Sequence, residues 1–331
     1  MRREIELWPR IGTWTNLETA LAQALRGKRT RGDVQAFLRR LPESLEELQR
    51  RLVDGRGPIG EFRTFTIHDP KERLISAPCF PDRVMHHAVI NVCEPVFERW
   101  LVRQTFACRQ GLGLRAAIAE ARCWSARCRW YLKMDVRHYF ETVPRDRLLS
   151  KVERLFGERE LISWWADVIQ PPGQPAERGM PIGALTSQHL ANFYLGFLDR
   201  VVKEELRIKA YTRYMDNLIL WHDDKDVLKA ARNRVVAFTT DELGLEIKPP
   251  VLNRMSGGLD FVGFRFHPGW VGLNRRSRRR LREKVRGLER AWARGSLSGR
   301  ELQDRVTAAL AFTEPALTGR VLEQSSIGDG P

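Results

Sequence analysis

Residues 211–222, YTRYMDNLILWH, set two strand-like runs on either side of an Asp-Asn pair. Asp and Asn side chains hydrogen-bond nearby backbone and tolerate tight turns. The stretch is therefore predicted to be a β-hairpin turning at Asp216-Asn217. A second strand candidate, RWYLKMDV at 129–136, puts Tyr131, Lys133 and Asp135 on one face by alternation. Laid side by side, the two segments would bring Asp135 and Asp216 together. A chain that does this needs a sheet with a packed face, which limits what its other segments can be.

Those segments read mostly as helices. NLETALAQAL, DVQAFLRR and SLEELQRRL within 15–53 are short helices with charged faces. FRTFTIHDPKERLISA (62–77) is a strand, a turn at Asp69-Pro70 and a second strand. Residues 81–103 are helical, with Val84, Ala88 and Val92 on one face. GLGLRAAIAEARCW (111–124) is a helix opened by glycine. Helices are expected at about 145–155, 159–169, 187–205 and 226–242, then strands at LGLEIK (243–248) and LDFVGFRF (259–266). Two helices close the chain, near 277–293 and 298–311, with Ser277 as the N-cap of the first. The middle third therefore suits an α+β sheet with helices on one face.

Composition narrows the partner. The 331 residues, 43% hydrophobic and 29% charged, suffice for a large core. A formal net charge of +15 and a pI near 10.1 point to a polyanion, nucleic acid before membrane. Five cysteines without zinc-type spacing read as reduced packing thiols. No apolar run reaches membrane-span length, and the charged start MRREIELWPR lacks a signal peptide's apolar stretch. A cytoplasmic protein with no membrane partner is the expectation. The residues Ser325–Pro331 read as a flexible polar tail.

Nucleotidyl transfer asks for neutralised triphosphate charge and an activated hydroxyl, and two Mg²⁺ ions can supply both. Mg²⁺ takes one or two carboxylates, with phosphates and waters completing its shell. Asp135 and Asp216 meet that demand. Read alone, each also has an ordinary role: Asp135 as a strand-end partner of Lys133 or Arg137, Asp216-Asn217 as a plain turn.

The neighbours shift the balance. YLKMDVRHYF, GMPIGALTSQHLANFYL, RYMDN, LGLEIKPP and LDFVGFRF follow one another in order. KERLISAP and RVMHHAVINVCEPVFERW…TFACRQGLGLRAA lie upstream. Together, over about 55–266, they resemble the bacterial reverse transcriptases, with Tyr214-Met215-Asp216-Asn217 standing where that family has Tyr-x-Asp-Asp. The Ile-Gly-x-x-x-Ser-Gln form of Ile182–Gln188 most resembles the enzymes of diversity-generating retroelements.

The resemblance implies a right-hand polymerase architecture: N-terminal helices and fingers over 1–128, and a palm with an antiparallel sheet over 129–266, carrying a fingers-like insertion near 150–185. A helical thumb over 267–324 and the tail 325–331 would follow. It implies an RNA-directed DNA polymerase that takes a template RNA, a cDNA or primer strand and deoxynucleoside triphosphates, and works with a small basic accessory protein. Its cofactor would be two Mg²⁺ ions, with Mn²⁺ able to substitute. Asp135 and Asp216 would be catalytic metal ligands, joined by the Val136 carbonyl, with Asn217 in the second motif position. Lys71, Arg73, Phe140, Ile182, Gly183, Gln188 and Lys248 would bind the nucleotide, Phe140 beneath its sugar and Lys248 near the leaving pyrophosphate. Arg275, Arg276, Arg278, Arg279, Arg282 and Arg286 would follow the template–primer, in a stretch (275–290) with nine Lys or Arg against two Glu. A phage-defence reverse transcriptase and a catalytically weakened nucleic-acid-binding relative are the competing readings.

Overall fold

The computed structural model describes residues 3–68, 72–170 and 177–313. Lys71, the Asp69-Pro70 turn and the tail 325–331 lie outside the described residues. In chain order the elements are helices α1 (Trp8–Ile11), α2 (Trp14–Ala24), α3 (Gly32–Arg39) and α4 (Leu41–Val53), then strands β1 (Phe62–Ile67) and β2 (Arg73–Pro78). There follow α5 (Phe80–Trp100), α6 (Leu114–Arg127), β3 (Trp130–Asp135), α7 (Tyr139–Thr142), α8 (Arg145–Val152), α9 (Arg159–Ile169) and α10 (Leu185–Arg200). The last part holds β4 (Tyr211–Tyr214), β5 (Asn217–His222), α11 (Lys225–Asp241), β6 (Val251–Arg254), β7 (Leu259–Phe261), β8 (Phe264–His267), β9 (Trp270–Leu273), α12 (Arg275–Ala293) and α13 (Gly299–Leu310).

The chain divides into two compact units. The helical unit comprises Met1–Cys108, Val136–Val201 and Val235–Lys248. Its centre is α5, which is buried almost all round through Val84, Met85, Ala88, Val89, Val92, Cys93, Val96 and Phe97. A helix apolar on every side belongs inside a core. Around Phe97 the rings of Phe156, Trp165 and Phe193 pack at centroid distances of 5.4–5.8 Å, mostly edge to face. Asn16 ties α2 to this centre by donating from Nδ2 to the carbonyls of Ile11 and Ala88. Strands β1 and β2 form an antiparallel hairpin with Thr64 opposite Ser76.

The sheet unit comprises Arg109–Asp135, Val202–Arg234 and Pro249–Pro331. Its four-stranded sheet has the order β4-β5-β3-β6, antiparallel throughout. Leu132, Met134, Leu218 and Leu220 share one face, all fully buried or nearly so. A second antiparallel sheet, β7-β8-β9, follows.

Four expectations are corrected. The hairpin turns at Met215-Asp216, and Asn217 is the first residue of β5. A two-residue loop closed by the pair Tyr214–Asn217 needs positive φ at its first position, and Met215 supplies it at φ 55°. Residues 243–248 are not a strand. They make a single bridge, Ile247 to Val136, and the strand begins only beyond Pro249-Pro250, where donors return to the backbone. LDFVGFRF is two strands, bent at Val262-Gly263, both with positive φ. The N-cap of α12 is Asn274, whose Oδ1 accepts from the Ser277 backbone N–H at 2.9 Å. The amide fills the role expected of the serine three residues on.

Candidate active site

Strand β3 carries the first candidate at its last position. Tyr131, Lys133 and Asp135 share one face. The Tyr131 hydroxyl donates to the Gly258 carbonyl at 3.1 Å, and Lys133 Nζ donates to the Asp260 carbonyl at 2.7 Å. These bonds hold the strand so that Asp135, half-buried, ends it. In register, Asp135 pairs with Asn217 of β5, and Asn217 pairs with Tyr214 of β4. Tyr214, Asn217 and Asp135 therefore form one row across three strands, and neighbouring Cβ atoms in such a row lie about 4.5–5.5 Å apart.

The second candidate sits in the turn beside that row. Asp216 is half-buried, and its Oδ1 accepts from Asn217 Nδ2 at 3.3 Å. Beneath the turn, Arg213 is completely buried and donates from Nη1 to the Met215 carbonyl at 2.9 Å. A left-handed, non-glycine Met215 is costly backbone, and the guanidinium holds its carbonyl in place. Sequence reasoning missed Arg213. The available signal was an arginine among apolar residues, three positions before the aspartate.

The donors fit a hard cation. Two carboxylates and an amide oxygen are oxygen ligands of the kind Mg²⁺ takes, leaving most of its shell to water and phosphate. Among the described residues no group of three or more His, Cys, Asp or Glu is placed to hold a metal.

The remaining candidates are distributed as follows. In the helical unit, Val136 is buried and bridged to Ile247. The Phe140 carbonyl accepts from the Met180 N–H, and the Ile182 carbonyl accepts from the Ser76 N–H, both at 2.7 Å. The second bond joins β2, whose first residue is exposed Arg73, to the segment carrying Ile182 and Gly183, and the first joins that segment to Phe140 of α7. Gly183 has φ 121°, and a Cβ there would stand 2.8 Å from Ile75 Cγ2 and 3.2 Å from the Ser76 carbonyl oxygen. Only glycine lets these backbones approach so closely. Phe140 lines a cleft of about 300 Å³ with Phe62, Thr64, Ser76 and Arg145. Gln188 is exposed, and its Oε1 accepts weakly from Cys108 Sγ at 3.6 Å. Lys248 is half-buried just before the two prolines.

In the sheet unit, Arg275, Arg276, Arg278, Arg279, Arg282 and Arg286 are all exposed on α12, a helix with no buried residue. Asp223 and Asp224 hold structure instead: Asp223 accepts from the Arg129 N–H, and Asp224 from the Asp226 N–H in the first turn of α11. His86 is buried against Trp164, and its Nδ1 meets the Thr186 hydroxyl.

An antiparallel sheet with one carboxylate at a strand end and a second in the adjoining hairpin turn suits the palm of a template-directed polymerase. Residues 68–266 match the family model described as "Reverse transcriptase (RNA-dependent DNA polymerase)", and the chain belongs to that family. The α+β right-hand polymerase fold class expected from the motifs is the family's own. The chain is 24% identical over 178 residues to Protein YkfC of Escherichia coli (strain K12), covering 50% of this chain and 47% of that protein. It is 20% identical over 174 residues to a putative COX1/OXI3 intron 1 protein of Saccharomyces cerevisiae, covering 50% of this chain and 21% of that one. The chain thus spans less than half the length of these relatives. Among solved structures it is similar to an apo telomerase of Candida tropicalis, with a TM-score of 0.48 and 12% identity over 65% of this chain and 55% of that one. Among the described residues no helix is long and apolar enough to cross a membrane.

Proposed function

We propose that the chain is an RNA-directed DNA polymerase that copies an RNA template into cDNA, in a diversity-generating retroelement. The observation that carries the reading is the row Tyr214–Asn217–Asp135 with Asp216 in the adjoining turn. Asp135 and Asp216 would hold two Mg²⁺ ions, or Mn²⁺ in their place, with the Val136 carbonyl as a further oxygen ligand. Bound there, the metals supply charge neutralisation on the triphosphate and activation of the attacking 3′-hydroxyl.

The chain's own residues position the reactants. Phe140 would lie beneath the incoming sugar and exclude a 2′-hydroxyl, selecting deoxynucleotides. Arg73 and Lys71 would clamp phosphate oxygens. Ile182 and Gly183 would border the nascent pair. An apolar Ile182 withholds a hydrogen bond that would tell correct from incorrect partners, a route to low fidelity. Gln188 would face the template, and Lys248 would protonate the departing pyrophosphate. The exposed arginines of α12 would track the duplex by charge, without reading its sequence. The proposed divisions are fingers over 1–128, palm over 129–266 and thumb over 267–324. A small basic accessory protein and a cytoplasmic setting belong to the same reading.

Primer extension on poly(rA)/oligo(dT) with Mg²⁺ or Mn²⁺ tests it. Incorporation by the wild-type chain that vanishes in Asp216→Ala is the expected result. No incorporation with either metal sinks the enzyme. A second reading, a catalytically weakened binding protein, draws on Asn217: in register with Asp135, it removes one negative charge from the row. A phage-defence role shares the same chemistry, and a template and variable repeat pair in the flanking DNA separates the two.

A further inference from the structure

The helical unit is nearly balanced in charge, with 27 Lys or Arg against 25 Asp or Glu. One place in it is not. The segment between α2 and α3 reads Arg26-Gly-Lys-Arg-Thr-Arg31. It is folded as consecutive tight turns, with Lys28 N–H donating to the Leu25 carbonyl at 3.0 Å and Arg31 N–H to the Lys28 carbonyl at 3.1 Å. Gln35 Nε2 pins the Arg29 carbonyl at 2.6 Å, and Gly27 supplies the positive φ of 65° at the first bend. These bonds fix the backbone that carries the four basic residues in consecutive turns.

A fifth cation arrives from α5. Arg83 reaches the end of α2, where its Nε lies 3.4 Å from the Ala24 carbonyl. His87 follows one helical turn later, half-buried, with Nε2 lacking a hydrogen-bond partner. Arg31 has a carboxylate, that of Asp33 at 2.7 Å. Among the described residues Arg26, Lys28, Arg29 and Arg83 have none within ion-pair distance. The cations disturb one another. Lys28 is held below its ordinary range, first by Arg83, then by burial and Arg31. Burial and Arg31 lower Arg83. Burial, then Arg83, Arg26 and His189, push His87 down to about 4. Like charges gathered this way oppose folding, and an anion between them removes the opposition.

We infer that Lys28, Arg31 and Arg83, rimmed by Arg26 and Arg29, form a binding site for the phosphates of a nucleic-acid strand. The Arg83 guanidinium beside the Lys28 ammonium suits tetrahedral phosphate oxygens. Arg31 adds charge while its own Nε and Nη2 are held by Asp33, and several cations carried on one segment suit a repeating phosphodiester better than a single small anion. The inference rests on the polymerase reading only in taking a nucleic acid as the ligand. It needs no metal and uses none of the residues assigned to chemistry.

The test is fluorescence anisotropy with labelled single-stranded RNA, single-stranded DNA and an RNA–DNA duplex, in EDTA, across a salt series. Lys28→Gln/Arg31→Gln is compared with wild type, with Lys28→Arg/Arg31→Lys and with Arg39→Gln/Arg50→Gln as a control of equal charge. The first double variant should bind about tenfold more weakly at 0.1 M salt. Its plot of log affinity against log salt should be shallower by about 1 to 2. Its melting temperature should change little, because relief of like-charge repulsion is offset by loss of the exposed Arg31–Asp33 pair. The charge-preserving variant should match wild type. A loss in all three ligands assigns the shared phosphodiester, and a loss confined to RNA assigns the template strand. Wild-type affinity and slope in a folded Lys28→Gln/Arg31→Gln overturn the site, as does an equal loss in the control. Binding of poly(Glu) that is lost while nucleic-acid binding is kept also overturns it. Primer extension, scored separately, distinguishes failures: a chain that binds as expected but never extends sinks the polymerase reading alone.

Discussion

The helical unit has 27 Lys or Arg against 25 Asp or Glu, a net of +2, whereas the sheet unit has 29 against 16, a net of +13. Together they make the chain's +15, so almost all of the excess belongs to one unit. Burial runs the other way. The aromatic core around Phe97, with Trp164 and Trp165 fully buried, belongs to the helical unit, while α12 of the sheet unit buries nothing and leaves Trp292 51% exposed. One unit is organised by packing, the other by a sheet that displays carboxylates and a helix that displays cations. A basic protein need not be basic throughout. Long-range attraction requires charge only where the polyanion lies, and a balanced surface elsewhere limits self-repulsion.

The comparison can be broken at several points. The largest expected effect is on chemistry. Asp135→Ala and Asp216→Ala should each lower primer extension by at least about 10³-fold, roughly 4 kcal/mol of barrier, with little change in melting temperature. Next comes the core: Trp164→Ala in the helical unit should cost about 3–5 kcal/mol in denaturant unfolding, against less than about 1 kcal/mol for Trp292→Ala.

Charge removal should then divide the units. Replacing Arg275, Arg278, Arg282 and Arg286 by Gln should weaken duplex binding by about 10²-fold at 0.1 M salt and flatten the salt dependence by about 3 to 4. The same number of changes at Arg39, Arg40, Arg50 and Arg56 should do neither. Equal effects would erase the distinction drawn here.

A pH series probes the helical unit alone. Burial first, then neighbouring charge, pushes His86 down to about 3 and His87 to about 4, and burial pushes His189 to about 4. The unfolded chain binds these protons near pH 6.5 and the folded chain does not. Stability is therefore lost as pH falls from about 6.5 toward 4, with a slope approaching 1.4 kcal/mol per pH unit for each ring that stays neutral. Denaturant melts at pH 7, 6 and 5 check it, and a flat profile would show the rings already charged.

The smallest effect is the finest. Asn217→Asp should raise the Mg²⁺-supported rate by less than about tenfold and narrow the advantage of Mn²⁺, because it restores one charge beside Asp135. An unchanged rate and metal preference would separate Asn217 from metal affinity.

Much of this organisation was legible in the sequence, for physical reasons. Period-two alternation in RWYLKMDV placed Tyr131, Lys133 and Asp135 on one face, as found. Apolar spacing marked α5, and charge marked α12. What failed was local chemistry overruled by partners. Asp-Asn is a good turn pair by propensity, yet the turn is Met215-Asp216, because pairing with Asp135 draws Asn217 into the strand and buried Arg213 holds the Met215 carbonyl. LGLEIK has strand-like composition but only a single bridge, since a strand exists only where a neighbour runs beside it.

By itself, then, the sequence determined the family and most of the element types, and marked Asp135 and Asp216 as candidates, because motifs and periodicity are properties of contiguous residues. Only the tertiary structure decided that Asn217 faces Asp135 in register, that a buried arginine underlies the Asp216 turn, and that Arg83 joins the 26–31 segment more than fifty residues before it. Those facts depend on which distant segments come to lie together, and pattern along a chain does not encode contact across it.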